Sequence, residues 1–207
     1  MDYPVFKEEM KSSYTILIPD MLPIHFKLII NILKKYGYHV ELLQTSTRAV
    51  VDEGLKNVHN DTCYPALLVI GQFINALKSG KYDVNRTALM LTQTGGGCRA
   101  SNYIHLLRKA LKKEFPQVPV ISLNLSGLEK GSGLSLTLPL LIKVVYAVFY
   151  GDLLMSLYNQ CKPYEIHSGE SESVREKWQE KLTIIFDKRE FIKCKKYCRM
   201  ILEDFDK

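Results

Sequence analysis

Apolar residues recur along the chain in two rhythms, short continuous runs and helical repeats, and the switches between them mark the elements. Residues 14–18, Tyr14-Thr15-Ile16-Leu17-Ile18, are β-prone and stop at Pro19-Asp20, the signature of a strand buried on both faces. Residues 24–36 follow with Phe26, Ile29, Ile30 and Leu33 on one helical face, ended by Gly37. "HVELL" (39–43) predicts a second strand, and 50–58 a short helix in the connection after it. From Pro65, a residue suited to the first turn of a helix, Leu67, Ile70, Ile74 and Leu77 recur at helical spacing as far as Gly80. "RTALMLT" (86–92) is a third strand, Ile104, Leu107 and Leu111 mark the next helix, and "VPVISLN" (118–124) is a fourth strand.

Beyond that point the pattern is helical, over 136–160, 174–186 and 188–205. Ser173 and Glu176 spell a capping box ahead of Val174, Trp178, Leu182 and Ile185, and the polar stretch "PYEIHSGESES" before them reads as a loop or hinge. Strands alternating with helices make β-α units, whose right-handed crossovers require a parallel sheet. The expected fold is therefore α/β: an open parallel sheet of about four strands, Rossmann-like or flavodoxin-like, with a helical C-terminal extension. The corresponding division is an N-terminal lead over 1–13, an α/β domain over 14–133 and a helical extension over 134–207.

Composition narrows the class. At 207 residues and 46% hydrophobic, the chain has enough apolar material for one sizeable core. The net charge is +6, but its Lys and Arg residues are scattered through "LKSGKYD", "LLRKALKKEF" and "FIKCKKYCRM" without a basic-aromatic motif, which argues for solvated helix faces and against a nucleic-acid partner. The opening "MDYPVFKEEMKSSYT" is acidic and lacks the apolar segment of a secretory signal, so the expected location is cytoplasmic and the sequons at Asn60, Asn85 and Asn124 are accidental. The longest apolar run, 134–150, is interrupted by Pro139 and Lys143 and is about 17 residues long, marginal for a membrane span. It reads instead as a helix buried in a core or in a subunit interface, such as that of a homodimer, with no membrane.

Five cysteines in a cytoplasmic chain leave buried thiols, a metal site or redox chemistry. In an open parallel sheet ligands bind at the carboxyl ends of the strands, where "PDMLPIH", residues 44–64, "QTGGGCRASN" and "LSGLEKGSG" form the loops. Cys63 closes the second loop and Cys98 sits in the third, each at or near a helix N-terminus, whose N–H groups and dipole favour thiolate. Thiolates bind soft metals and iron–sulfur clusters, and Gly95, Gly96 and Gly97 would let the backbone approach a bulky inorganic group. The residues leave two other readings open. One is a pair of small buried thiols. The other is an anion nest in "TQTGGGCR", with Arg99 pairing a phosphate or carboxylate; the stretch is neither a dinucleotide fingerprint nor a P-loop.

The remaining candidates are weaker. Phe191, Cys194, Cys198, Ile201 and Phe205 form one apolar helical stripe, so Cys194 and Cys198 read as core, and Cys161 has no partner nearby. His25 and His105 are possible acid–base groups, His105 within an amphipathic helix where a structural role is commoner.

Four stretches, "ILIPDMLPIHFKLIINILKKYGYHVELL", "VDEGLKNVHNDTCYPALLVIGQFINALKSGKYD", "LTQTGGGCRASNYIHLLRKAL" and "PVISLNLSGLE", resemble a region of the proteins described as activators of 2-hydroxyacyl-CoA (2-hydroxyglutaryl-CoA) dehydratase, the CoA-substrate-specific enzyme activase family. The resemblance spans roughly residues 14 to 186, and "NDTCYPA" and "TQTGGGCRASNY" are its most specific parts. Members join ATPase modules to dehydratase-like modules. This chain is similar to the latter and carries no actin-like phosphate motif, so ATP hydrolysis does not transfer to it.

The resemblance implies stacked Rossmann-like domains that hold a [4Fe-4S] cluster through three cysteines, two from the first domain and one from a later domain. Cys63 of "TCYP" and Cys98 of "GGGCR" match the first two. The third ligand would then come from other domains of a larger protein or from a partner subunit, and the expectation the resemblance implies is a fragment or a truncated member. The implied activity is electron transfer or radical dehydration of a CoA thioester: an ATP-driven activator passes one electron to the cluster, and the thioester becomes a ketyl radical that loses an unacidified β-hydrogen. The alternative function is a metal-free CoA- or anion-binding module or a structural interaction domain.

Overall fold

The computed structural model describes residues 3–44, 46–59, 61–93, 102–124, 134 and 137–206. The chain forms two compact units, Met1–Met21 with Gly37–Ser135, and Leu22–Tyr36 with Leu136–Lys207.

The first unit holds the sheet. Its strands are β1 (Thr15–Pro19), β2 (His39–Leu43), β3 (Thr87–Gln93) and β4 (Val120–Asn124), all parallel, in the order β2-β1-β3-β4. Ile16 stands in register with Val40 on one side and Ala88 on the other, and Leu89 with Val120. Of the two doubly wound orders the sequence allows, this is the flavodoxin-like one, in which β1 lies between β2 and β3. The strand order therefore reverses between β1 and β3, and in open parallel sheets of this kind the carboxyl ends at such a reversal are where ligands bind.

Three helices belong to this unit: α2 (Arg48–Asn57), α3 (Tyr64–Lys78) and α4 (Tyr103–Glu114). Leu17, Leu43, Leu89 and Leu91 of the sheet pack in one core with Ile70, Phe73, Ile74 and Leu77 of α3 and Ile104, Leu107 and Leu111 of α4, so the helical-spacing residues are the buried ones. α2 crosses α3 at backbone distance. A Cβ at Gly71 would lie 2.1 Å from the Val50 carbonyl oxygen, and one at Gly54 2.4 Å from that of Leu67. Lys78 Nζ ties the three helices together, 2.9 Å from Glu53 on α2 and 2.8 Å from Glu114 on α4. The two carboxylates hold its ammonium above its ordinary pKa. Gly80, with φ +73°, supplies the left-handed residue that turns the chain out of α3.

The second unit is helical: α1 (Pro23–Lys35), α5 (Leu138–Cys161), α6 (Glu170–Asp187) and α7 (Cys194–Phe205). The compact units do not follow chain order, because α1, which lies between β1 and β2 in sequence, groups with the C-terminal helices. More than one stripe of α1 is covered: Ile24, His25, Leu28, Ile30, Ile32 and Leu33 are buried, while Phe26 and Ile29 are half-buried. Gln179 of α6 donates from Nε2 to the Ile24 carbonyl at 3.3 Å, and His25 Nε2 sits 2.9 Å from Asp152 Oδ1 of α5. Trp178 is buried and donates from Nε1 to Asp204 Oδ2 at 3.1 Å; Tyr150 donates to the Phe191 carbonyl at 2.9 Å.

Two local expectations are corrected here. Ser173 does not cap α6; it lies inside the helix, its N–H bonded to the Gly169 carbonyl. The helix starts at Glu170 because Glu165 reaches forward and accepts from the N–H groups of Gly169 (2.9 Å) and Ser171 (3.2 Å), while Gly169 takes a left-handed φ of +97° that most residues avoid. Those backbone donors pull the Glu165 carboxyl down to about 2. The run 188–205 is also not one helix. A left-handed Arg189 (φ 56°) and a 3₁₀ turn at Glu190–Ile192 separate α6 from α7.

The apolar run at 134–150 is part of a longer helix. With the turn that follows it, the segment Leu138–Tyr164 contains an 18-residue window of mean hydropathy 1.7 and, by length and composition only, is long and apolar enough to cross a membrane. It packs on α1, α6 and α7 within its own unit, and Leu138, Ile142, Val145 and Phe149 stay exposed at a spacing of four, three and four residues.

Candidate functional site

The carboxyl edge of the sheet is built from the ends of β1 and β3 and the first turns of α3 and α4. Pro65 at the second helical position fixes a helical φ without the loss of an intrahelical donor, so α3 begins immediately after Cys63. Cys63 itself is extended (φ −61°, ψ 146°), and its carbonyl accepts the first helical bonds from Ala66 (3.0 Å) and Leu67 (3.2 Å). Its side chain does not cap the helix. The exposed thiol lies with Sγ 3.0 Å from the hydroxyl oxygen of Tyr103, the first residue of α4, 40 positions away in sequence. Tyr103 is 5% exposed, its ring part of the core beneath the edge. Just before Cys63, His59 and Asp61 form an exposed pair, Nδ1 to Oδ2 3.3 Å.

The second polar group of this edge is Asp20, which follows the last residue of β1. Its backbone N–H donates to Oε1 of the buried Gln72 on α3 at 3.3 Å, and its Oδ1 is buried with no hydrogen-bond partner. Burial holds its carboxyl above the usual carboxylate range, because the charged form gives up hydration that nothing replaces.

Of the residues singled out from sequence at this edge, the structure describes Cys63. Cys98, Gly95, Gly96, Gly97 and Arg99 lie outside the described residues. His105 is exposed on α4, and His25 belongs to the helical unit, buried against Asp152 and Gly151. The C-terminal thiols are half-buried. Cys194 donates to the Phe191 carbonyl at 3.5 Å and Cys161 to that of Phe205 at 3.7 Å, while burial pushes the Cys198 thiol up, the behaviour of packed rather than reactive cysteines. Tyr103 and Asp20 were not singled out. An aromatic at the start of a helix reads as core, but an acidic residue one position past the first strand of a parallel sheet is a signal that could have been used.

Among the described residues, no three of His, Cys, Asp and Glu converge to hold a metal ion. Cys63 itself is an exposed soft donor immediately before α3. Two surface dents, one in each unit, have volumes of about 10 Å³, room for about one water, and neither is lined by Cys63 or Asp20. Compared with protein-family models, curated proteins and solved structures, the chain matches none of them.

Proposed function

We propose that this chain is a dehydratase-like domain whose Cys63 and Cys98 help to hold a [4Fe-4S] cluster, serving electron transfer or radical dehydration of a CoA thioester. The observation that supports it is the 3.0 Å contact between Cys63 Sγ and the Tyr103 hydroxyl. Tyr103 stands five residues after Cys98 in "CRASNY", so the contact joins the thiol of "NDTCYP" to the helix into which the other cysteine's loop leads. The remaining ligand comes from other domains of a larger protein or from a partner subunit. When bound, the cluster supplies one-electron transfer to the thioester.

The chain's own residues do the rest. Cys63 and Cys98 would hold the cluster as thiolates, and Gly95, Gly96 and Gly97 would let the backbone approach its inorganic sulfur. The test is expression without oxygen, then reconstitution with ferrous iron, sulfide and excess small thiol to fill the outstanding ligand position. Iron and acid-labile sulfide are measured on the wild type, Cys63→Ala and Cys98→Ala. The reading requires iron and sulfide together in the wild type and loss of both in either variant. Colourless, iron-free wild type would overturn it. Calorimetric binding of CoA esters by that iron-free protein, lost in Arg99→Ala, would assign an anion-binding module instead.

A further inference from the structure

The helical unit buries most sides of α5 and leaves one apolar face open. Leu140, Ala147, Tyr150 and Leu154 are buried, and α1, α6 and α7 pack on the helix. Leu138, Ile142, Val145 and Phe149 are 69%, 42%, 60% and 48% exposed, and the same face continues in polar residues at Asp152 and Ser156. Gaps of four, three and four residues are those of a coiled-coil seam. We propose that this stripe pairs with the same stripe of a second copy of this chain, the two α5 helices antiparallel about a two-fold axis between residues 143 and 144.

The occupant follows from spacing, charge and area. The gaps read the same from either end, so a reversed copy sets Leu138 against Phe149 and Ile142 against Val145, each contact made twice, as an isologous interface requires. Charge fixes that register. No charged residue stands on the stripe, and Asp152 falls beyond the pairing, whereas a slip of one turn toward it would bury its carboxylate against Leu138. The stripe exposes on the order of 400 Å² of apolar side chain in each copy. Two copies therefore cover about 800 Å², below the roughly 1,200 Å² at which stable complexes begin, so the dimer is reversible, with a Kd in the micromolar range. So short a seam suffices because α5 is already folded within its own unit, and association does not have to order it. A bilayer fits the face less well. Leu138 to Phe149 rises roughly 17 Å, little more than half of a hydrocarbon core of about 30 Å. Lys143, the charged residue of that stretch, lies over the Tyr36 ring at 5.3 Å and does not serve as a headgroup anchor. The pairing involves neither Cys63 nor Cys98, and it stands or falls apart from the function proposed above.

The experiment is sedimentation velocity on the full chain from about 1 to 300 µM, a range that brackets a micromolar Kd. The wild type should pass from monomer to dimer as concentration rises. Val145→Glu and Ile142→Lys lie at exposed positions, should keep the wild-type circular dichroism, and should each stay monomeric. An equimolar mixture of the two should recover the dimer, because position 145 of one copy then faces position 142 of the other with opposite charge. A parallel pair would align each position with itself and give no recovery. A wild type that is monomeric throughout, a folded single variant that dimerises as the wild type does, or a mixture that stays monomeric would each overturn the proposal. Flotation of a monomeric wild type with phosphatidylserine-containing vesicles, lost in Val145→Glu, would overturn it in favour of a lipid surface.

Discussion

Gly151→Ala in α5 gives the sharpest test of how the helical unit is packed. A Cβ at this position would lie 2.4 Å from His25 Cδ2, 2.8 Å from Cγ and 2.9 Å from Nε2. Carbon atoms in van der Waals contact sit at roughly 3.5–4.0 Å, so the ring or the helix must move by about 1 Å. The ring has little freedom to do so: His25 is 4% exposed, and its Nε2 is tied to Asp152 Oδ1 at 2.9 Å. Overpacking of this severity costs about 2–3 kcal/mol, and the better helix propensity of alanine returns up to about 1 kcal/mol, leaving a net loss of about 1–2 kcal/mol. The assay is urea unfolding followed by the fluorescence of Trp178, the chain's single tryptophan, buried on α6 of the same unit. With a slope of about 2 kcal/mol per molar urea, the midpoint should fall by roughly 0.5–1 M. In a His25→Ala background the clash is gone, and the same glycine substitution should become neutral or stabilising. An equal loss in both backgrounds, or none in the wild-type background, would refute the reasoning.

Three further outcomes follow from the same geometry. Gly71→Ala sets a Cβ 2.1 Å from a backbone oxygen of α2, which no rotamer change relieves; a loss of about 3 kcal/mol should lower the far-ultraviolet melting midpoint by on the order of 10 °C, and a change within about 2 °C would contradict the close crossing. Asp20→Asn concerns a carboxyl raised by burial above its ordinary 3.8. Its contribution to wild-type stability is complete below 3.8 and is lost as pH rises through the raised value, so the variant should show a flatter denaturation profile above pH 3.8 and equal or greater stability at neutral pH. Glu165→Gln is the opposite case. The native carboxyl is lowered from 4.5 to about 2 by the N–H groups at the start of α6, so its stabilisation is present above 4.5 and lost as pH falls toward 2; the variant should unfold more easily at neutral pH by Trp178 fluorescence and lack that acid-side slope.

The strands and most helices are legible in the sequence because each is specified by its own residues. "ILI" and "ALML" are apolar on both faces, and Leu67, Ile70, Ile74 and Leu77 bury one stripe. Local codes also place Cys63 at the start of α3, since Pro65 cannot follow deep inside a helix. What sequence reasoning misses depends on chain path. The capping motif at Ser173 is locally sound, but Glu165, after the 3₁₀ turn at Lys162–Tyr164, accepts from the earlier N–H groups of Gly169 and Ser171, and the helix starts there. α1 looks like an ordinary crossover helix, yet its many buried positions serve the helical unit. Tyr103 is read as core from its type, and half of that is right: the ring is buried, while the hydroxyl's partner is 40 residues away and invisible to any local pattern.

The central claim is that Cys63 and Cys98 face one another across a single site, and thiol cross-linking measures that directly. The iron-free chain is treated with a short bis-alkylating reagent that bridges sulfurs about a cluster's width apart, roughly 6–7 Å, then digested and analysed by mass spectrometry. The account predicts recovery of a linked peptide pair containing Cys63 and Cys98, abolished when iron and sulfide are bound first. Single modification of Cys63 and Cys98 without the linked pair would contradict it.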